Sequence, residues 1–482
     1  MAEPRKAELV FIPAAGVGHL VPVVEIAKLL ITQTNHISIT ILIMTRPSDT
    51  NILSYKKSLR ESSDPRIKYI DLKPEQSEPN QPFSEFVDSH KPHAREVLSG
   101  MINSGIFKLG GMVMDMFCTI MFDVANEFGI PSYVFFPSGA SMLGLSFHMQ
   151  SLRDDHNVDV TDFKVSDEST TLDVPTYINP VPTKVLPSIF LDKEGRSKMF
   201  LDQVKRYREA KGIIINTFKE METHAIEALS NDSNIPPVYA IGPLLNLKGG
   251  KVNKQQEEDE SIMKWLDVQP ESSVVFLCFG SGGAFDGEQV NEIAYALERS
   301  GYRFFWSLRK PTPSNNFGYP EDYENLEEVL PEGFLQRNSD VGKVIGWAPQ
   351  AAILAHPAVG GFVSHCGWNS TLESVWCGVP VATWPLYAEQ QVNAFLLVKE
   401  LEMAVEIKMD YRKHTWQTLN LNCEDVSADV IEKGIRVVMD PDSEVRKKVK
   451  EMQEKSHSVP KEGGSSYSSM RSFIDDVMSN VI

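Results

Sequence analysis

The stretch from Trp347 to Gln390 constrains the fold more than any other part of the chain, because short apolar runs alternate in it with short helical segments. VGKVIGW (341–347), GGFVSHC (360–366) and VPVATWP (379–385) read as strands. QAAILAHPAV (350–359) and NSTLESVWC (369–377) read as helices, the second stopped by Gly378. Strands joined through helices pair in parallel, and a parallel sheet binds ligands beyond the carboxyl ends of its strands. The polar residues of the stretch fall in those places: Trp347 to Gln350, then His365 to Ser370, then Glu389 and Gln390.

The middle group carries most of the chemistry. Gly367 permits a tight turn, Asn369 or Ser370 is expected to cap the helix, and a helix N-terminus with small polar residues suits a phosphate. Glu373, one turn further on, can accept hydrogen bonds from a ribose diol. Trp347 offers an apolar face to a planar base, next to Gln350 with an amide donor and acceptor. The residues alone therefore point to a nucleotide-diphosphate site.

The same stretch resembles the signature box of the plant UDP-sugar-dependent glycosyltransferases of family one. It has the full length of that box, with W-A-P-Q at its start, H-C-G-W-N-S in its middle and E-Q at its end. The resemblance extends to VMDMFCT (113–119), DVANEFGIPSYVFFPSGAS (123–141) and FGSGG (279–283). It implies an α/β chain of the GT-B type: two Rossmann-like domains whose parallel sheets face each other across a cleft. It also implies roles. Trp347, beside Ala348, stacks on uracil and Gln350 holds the base edge, while Glu373 binds the ribose. His365, Asn369 and Ser370, on the turn at Gly367, contact the phosphates together with Ser281. Trp368, Glu389 and Gln390 face the sugar. A terminal Gln accompanies glucose in relatives, and Trp368 stands where some glucuronosyl-transferring relatives carry Arg. UDP-glucose is the implied co-substrate, with no metal or other cofactor.

Composition narrows the alternatives. With 47 Lys and Arg against 65 Asp and Glu, the net charge of −18 argues against a general nucleic-acid binder. Cys118, Cys278, Cys366, Cys377 and Cys423 are odd in number and lack framework or zinc-ligand spacing, as expected of reduced thiols in the cytoplasm. Pro13, Gly16, Gly18, His19 and Glu25 interrupt the apolar N-terminal stretch, so no signal peptide is expected, and the C-terminal residues are too polar to span a bilayer. A monomer without an integral membrane segment is the expectation.

Residues 1–245 read as the first α/β domain. Its expected strands are 8–13, 37–44, 67–72, 111–114, 132–136 and 212–217. Its expected helices are 20–31, 84–102, 119–128 and 218–229, with a less regular region over 153–198. Residues 246–260, with acidic Glu257–Glu260, read as a solvated linker. The second domain, 261–458, opens with SIMKWLDVQP, strand 273–280, helix 287–300 and strand 303–308, then an irregular insertion over 311–329. After the signature stretch come helix 391–401, strand 403–408 and helix 424–439. A final helical segment, 459–482, is expected to cross back to the first domain.

In the first domain His19 follows a glycine-bearing loop at the start of a helix. Gly16-x-Gly18 departs from the dinucleotide fingerprint at Val21, which disfavours a nicotinamide enzyme. A helix dipole favours neutral imidazole, so His19 suits a base as well as a capping residue. Asp115, ending a strand, can either orient His19 or cap the helix that follows. No G-x-S-x-G supports a hydrolase, and Asp440-Pro441-Asp442 reads as a turn. By resemblance, His19 is the general base toward the acceptor hydroxyl and Asp115 fixes it. Alternatives are another UDP-sugar or UDP-sugar binding without turnover. Phe83, Phe86, Phe117, Phe136, Met142 and Phe147 are candidate linings of an apolar acceptor pocket. The resemblance is to the branch acting on phenolic and terpenoid small molecules.

Overall fold

Two parallel sheets carry the structure, a computed structural model that describes residues 7–46, 50–61, 64–75, 81–106, 108–167, 169–247, 256–312, 320–412 and 424–481. The first sheet contains β1 (Ala7–Ile12), β2 (Ile37–Ile43), β3 (Ile67–Asp71), β4 (Lys108–Asp115) and β5 (Ser132–Phe136). An antiparallel pair of two-residue strands, β6 (Thr171–Leu172) and β7 (Val181–Pro182), lies apart, and β8 (Gly212–Ile215) and β9 (Val238–Ala240) complete the sheet. Its order is β3-β2-β1-β4-β5-β8-β9. The second sheet is built from β10 (Val274–Cys278), β11 (Arg303–Ser307), β12 (Gly342–Ile345), β13 (Val359–Ser364), β14 (Val381–Thr383) and β15 (Ala404–Glu406), in the order β12-β11-β10-β13-β14-β15. All pairs in both sheets are parallel.

Helices cover both faces of each sheet, which is why the central strands carry apolar residues on both faces rather than at alternate positions only. Ala7, Leu9 and Phe11 of β1 point into one core and Val10 and Ile12 into another. In the second domain Val275 and Leu277 enter one core, while Val274, Phe276 and Cys278 enter the other. One of these apolar clusters is continuous across both domains. These are two Rossmann-like domains.

The C-terminal helices divide between them. Helix Glu444–Ser458 stays on the second domain, where Gln453 Nε2 donates to the Trp376 carbonyl at 3.1 Å. Past Gly463 and Gly464, helix Ser465–Ser479 lies on the first domain. Phe473 meets Tyr133 edge-on at 5.2 Å and Tyr239 at 5.4 Å. Asn480 Nδ2 donates to the Gly110 carbonyl at 2.6 Å, and the Ser466 hydroxyl donates to that of Gly242 at 2.5 Å.

Several local expectations are corrected. The helix expected over 84–102 is two, Phe83–Asp88 and Lys91–Ser104, parted at Ser89 and His90 just before Pro92. That over 119–128 begins as a 3₁₀ turn, Thr119–Met121, before Phe122–Glu127. The helix after β8 starts only at Thr223, because Glu222 is turned to accept the backbone N–H groups of Ala140 and Ser141. Helix Gln390–Phe395 passes into a wider π turn, Leu396–Glu400. Helices Thr50–Glu61, Ala140–Asp154 and Arg196–Arg206 were not anticipated. Helix Gln256–Asp267 includes the acidic run read as linker. Residues 248–255 of that linker, 313–319 of the insertion and Cys423 lie outside the described residues. Among the described residues no helix is long and apolar enough to cross a membrane.

Phe473→Ala should destabilise the first domain by about 3–5 kcal/mol, the usual cost of emptying a buried phenylalanine site. A lowered urea midpoint for the first unfolding transition would register it; an unchanged midpoint would contradict the docking of this helix.

Candidate active site

Each sheet reverses its strand order once, between β1 and β4 in the first and between β10 and β13 in the second. At such a switch point the loops after the two central strands diverge and leave a crevice. The named residues gather at these two places.

In the first domain the chain leaves β1 and turns at Gly16, whose φ of 120° is open to glycine and strained for other residues. Helix Val17–Gln33 begins directly after it, so His19 stands in the first turn. Asp115 is the last residue of β4, and Ile12 of β1 pairs with Met114 next to it. His19 Nδ1 and Asp115 Oδ2 are 2.8 Å apart, and the other Asp115 oxygen accepts the Phe117 backbone N–H at 3.0 Å. Asp115 is thus an orienting partner rather than a cap for the following helix. Its side chain is wholly buried, whereas 28% of the His19 side chain is exposed. Burial alone would lower the His19 pKa. The Asp115 charge and hydrogen bond, helped by Glu389, outweigh it and raise the pKa above 6.5. The neutral imidazole anticipated from the helix dipole is opposed by this carboxylate.

In the second domain the loops after β10 and β13 meet. Gly280, with φ 72°, lies so close to His365 that a Cβ there would stand 2.5 Å from Nε2. Ser281 follows it, exposed. His365 is buried and its Nδ1 has no partner. Burial lowers its pKa to about 4, so it is a neutral imidazole at ordinary pH and not a cation. Cys366 holds a left-handed φ of 62°. Ser364 Oγ accepts its N–H at 3.1 Å and Asn393 Nδ2 donates to its carbonyl at 2.9 Å. Strain of this kind in a non-glycine residue persists where the surroundings enforce it.

Helix Trp368–Cys377 then starts one residue earlier than anticipated, with Gly367 as N-cap and no capping side chain. Asn369 and Ser370 therefore fall inside the first turn instead of capping it; Asn369 is exposed and Ser370 buried. Gln350, at the start of helix Gln350–Leu354, donates through Nε2 to Ser370 Oγ at 2.8 Å and to Glu373 Oε2 at 2.7 Å. Those three side chains form one cluster. Trp347 stands at its edge, 44% exposed, before the buried Ala348.

Two residues expected to face a sugar have structural partners. Trp368 is buried, with its indole N–H donating to the Asn216 carbonyl of the first domain at 2.6 Å. Its backbone N–H reaches the Glu389 carboxyl, which burial raises in pKa and His19 lowers from across the cleft. Gln390 Oε1 accepts from the Leu386 and Tyr387 N–H groups at 2.9 and 3.0 Å. Other ties across the cleft were not read from sequence. Glu400 accepts the Ile178 and Asn179 backbone N–H groups at 2.8 and 2.9 Å, and Arg412 donates to the Lys184 and Leu186 carbonyls at 2.7 Å. No local pattern announces these residues, because their partners lie more than 200 positions away.

Beside His19 the wall is aromatic. Phe117 meets the imidazole at 5.6 Å, and Phe83 and Phe200 each lie 6.0 Å from Phe117. Phe136, Met142 and Phe147, also candidates for this wall, are buried in the core, where both phenylalanines pack on Tyr207.

Comparison with known proteins shows the family. The model of the family described as "UDP-glucoronosyl and UDP-glucosyl transferase" matches residues 198–440. A UDP-glycosyltransferase, 71E1, of Stevia rebaudiana is 55% identical, over 98% of this chain and 99% of its own length. A UDP-glucose flavonoid 3-O-glucosyltransferase of Fragaria ananassa is 53% identical over 99% and 100%. Among solved structures, a Siraitia grosvenorii transferase in complex with UDP is 44% identical with a TM-score of 0.88, over 98% of this chain and all of its own. Medicago truncatula UGT71G1 with UDP-glucose is 43% identical with a TM-score of 0.87, over 98% of both. The fold is GT-B, and the chain belongs to the family of UDP-dependent glycosyltransferases that act on small molecules.

Burial pushes the Glu373 carboxyl up to about 7, against the Gln350 amide that donates to it. An ionised carboxylate is the stronger acceptor for hydroxyl groups. With Glu373 taken as the expected acceptor for the ribose hydroxyls, UDP-glucose affinity should hold above about pH 7 and weaken as pH falls through that value. Calorimetric titration across this range tests it. The same slope in Glu373→Gln would assign the titration to another group.

Proposed function

We propose that this enzyme transfers glucose from UDP-glucose to a hydroxyl of a small apolar acceptor, a phenol or terpenoid, with inversion to a β-glucoside. The observation that carries the reading is the His19–Asp115 pair at the switch point of the first sheet, 2.8 Å apart, with Glu389 of the second domain close enough to bias its charge. The names of the Fragaria and Medicago relatives support glucose, as does Gln390 at the end of the signature stretch. In this reading residues 1–245 bind the acceptor and residues 261–458 the donor. Among the described residues four cysteines are free thiols, three of them buried, which supports a reducing, cytoplasmic setting.

The proton path follows from the hydrogen bond. With Nδ1–H held by Asp115, Nε2 is the basic nitrogen. It takes the acceptor proton while the acceptor oxygen forms its bond to the anomeric carbon. On the opposite face the bond from that carbon to the β-phosphate oxygen breaks, and its electron pair leaves with UDP. Asp115 offsets the charge of the imidazolium, as an orienting carboxylate does in other His-based sites. Trp347, Ala348 and Gln350 hold the base, and Glu373 the ribose. Ser281, His365, Gly367, Asn369 and Ser370 meet the diphosphate at the N-terminus of helix Trp368–Cys377. Glu389, held by the Trp368 backbone N–H, and the remaining amide donor of Gln390 address the sugar. No step is assigned to a metal, so turnover is expected to survive excess EDTA.

His19→Ala should lower kcat by about a thousandfold, within the range for a general base, and leave UDP affinity within about twofold. Unimpaired transfer would remove His19 from the mechanism. The base must be neutral to act, so wild-type kcat/KM should fall as pH drops through a pKa above 6.5. Asp115→Asn removes the group that raises this pKa. Its acid limb should move to lower pH while its plateau drops, and an unmoved limb in the pH–rate profile would dissociate Asp115 from His19.

A further inference from the structure

Charged groups around the acceptor end of the first sheet are mostly paired: Lys56 with Asp71, Lys91 with Asp88 and Asp123, and Arg206 with Asp123. Arg46 has no such partner among the described residues. It lies three residues past β2, on the edge of the sheet that also carries His19 and Asp115. It is half-buried, and no hydrogen bond or ion pair reaches it from the described residues. Its guanidinium sits over two rings, 5.0 Å from the centre of Phe86 and 5.5 Å from that of Phe83.

Those rings connect it to the base. Phe83 meets Phe117 edge-on at 6.0 Å, and Phe117 meets His19 edge-on at 5.6 Å. Phe83, Phe117 and His19 are each partly exposed, so the line from imidazole to guanidinium is an aromatic shelf open on one side. A guanidinium keeps its charge at every working pH, and a cation withdrawn from water without a counter-charge is costly. Stacking on aromatic faces returns part of that cost. The five N–H donors, a planar fork matched to a carboxylate, have no partner among the described residues.

We propose that Arg46 recognises an anionic group on the acceptor, so that the pocket favours phenols carrying a carboxylate at the end remote from the reacting hydroxyl. This rests on the reading of His19 as the base. The acceptor hydroxyl lies at His19, its ring system lies along Phe117 and Phe83, and its carboxylate pairs with the Arg46 fork. Arg46 stands away from the reacting atoms, so its contribution is to binding and appears in KM rather than kcat.

The test compares 4′-hydroxybiphenyl-4-carboxylate with its methyl ester as acceptors of glucose from UDP-glucose, following the phenolic glucoside. Wild type should prefer the acid. In Arg46→Gln the kcat/KM for the acid should fall about tenfold or more, through KM, while the ester stays within about twofold. Arg46→Lys, which keeps the charge without the fork, should restore part of the preference. An equal fall for both acceptors would make Arg46 a packing residue, and no change for either would remove it from the pocket; both outcomes overturn the proposal. Turnover of the ester with an unchanged acid-to-ester ratio defeats Arg46 alone. If wild type glucosylates neither acceptor, the transfer reading fails and the proposal with it.

Discussion

A reversal of strand order, made once in each sheet, is the constraint on which the rest of this structure depends. Parallel strands joined through helices cover both sheet faces, leaving only the carboxyl edges for ligands. Where the order turns, between β1 and β4 and between β10 and β13, adjacent loops run apart and open a crevice. His19 and Asp115 stand at one such crevice, and Ser281 and His365 at the other. The chemistry of the chain is concentrated where the covalent path stops covering the sheet.

Electrostatics separates the two histidines that meet this cleft. His19 has a wholly buried carboxylate on Nδ1 and an open face, and its pKa is raised. His365 is enclosed by glycine backbone and has no carboxylate partner, and burial lowers its pKa to about 4. The first is suited to gain and lose a proton near neutral pH. The second is suited to remain an uncharged hydrogen-bonding group. Sequence spacing placed both beside glycines at helix starts, and their opposite behaviour comes from what surrounds them.

The two halves share one apolar cluster, and directional polar contacts across it add a fixed register. Trp368 donates its indole N–H to the Asn216 carbonyl, Glu400 accepts backbone N–H groups of Ile178 and Asn179, and Arg412 donates to backbone carbonyls at Lys184 and Leu186. Charged side chains bound to backbone groups make stronger hydrogen bonds than neutral pairs. They fix an orientation that non-directional apolar packing alone leaves loose. Helix Ser465–Ser479 adds a covalent tie by returning the chain to the first domain through Phe473 and Asn480. The His19–Glu389 juxtaposition depends on all of these, since the two residues belong to different sheets.

The apolar period of the strands, the glycines at the turns and the polar groups after each strand were legible in the sequence, because they are local properties of the backbone. That local information determined two parallel α/β domains, the His19 turn, the end of the strand at Asp115 and the cluster within Trp347–Gln390. Position along the chain could not say whether Asp115 orients His19 or caps a helix; only the pairing of β1 with β4 brings the carboxylate to Nδ1. Nor could it place Phe136 and Phe147 in the core while leaving Phe117 beside the imidazole. The helix cap moved from Asn369 or Ser370 to Gly367 because the Cys366 turn, held by Ser364 and Asn393, advances the helix start by one residue. The sequence by itself determined which residues stand at strand ends, a matter of neighbours along the chain. Tertiary structure decided which of them meet, because burial and charge act through space between residues that lie far apart in the chain.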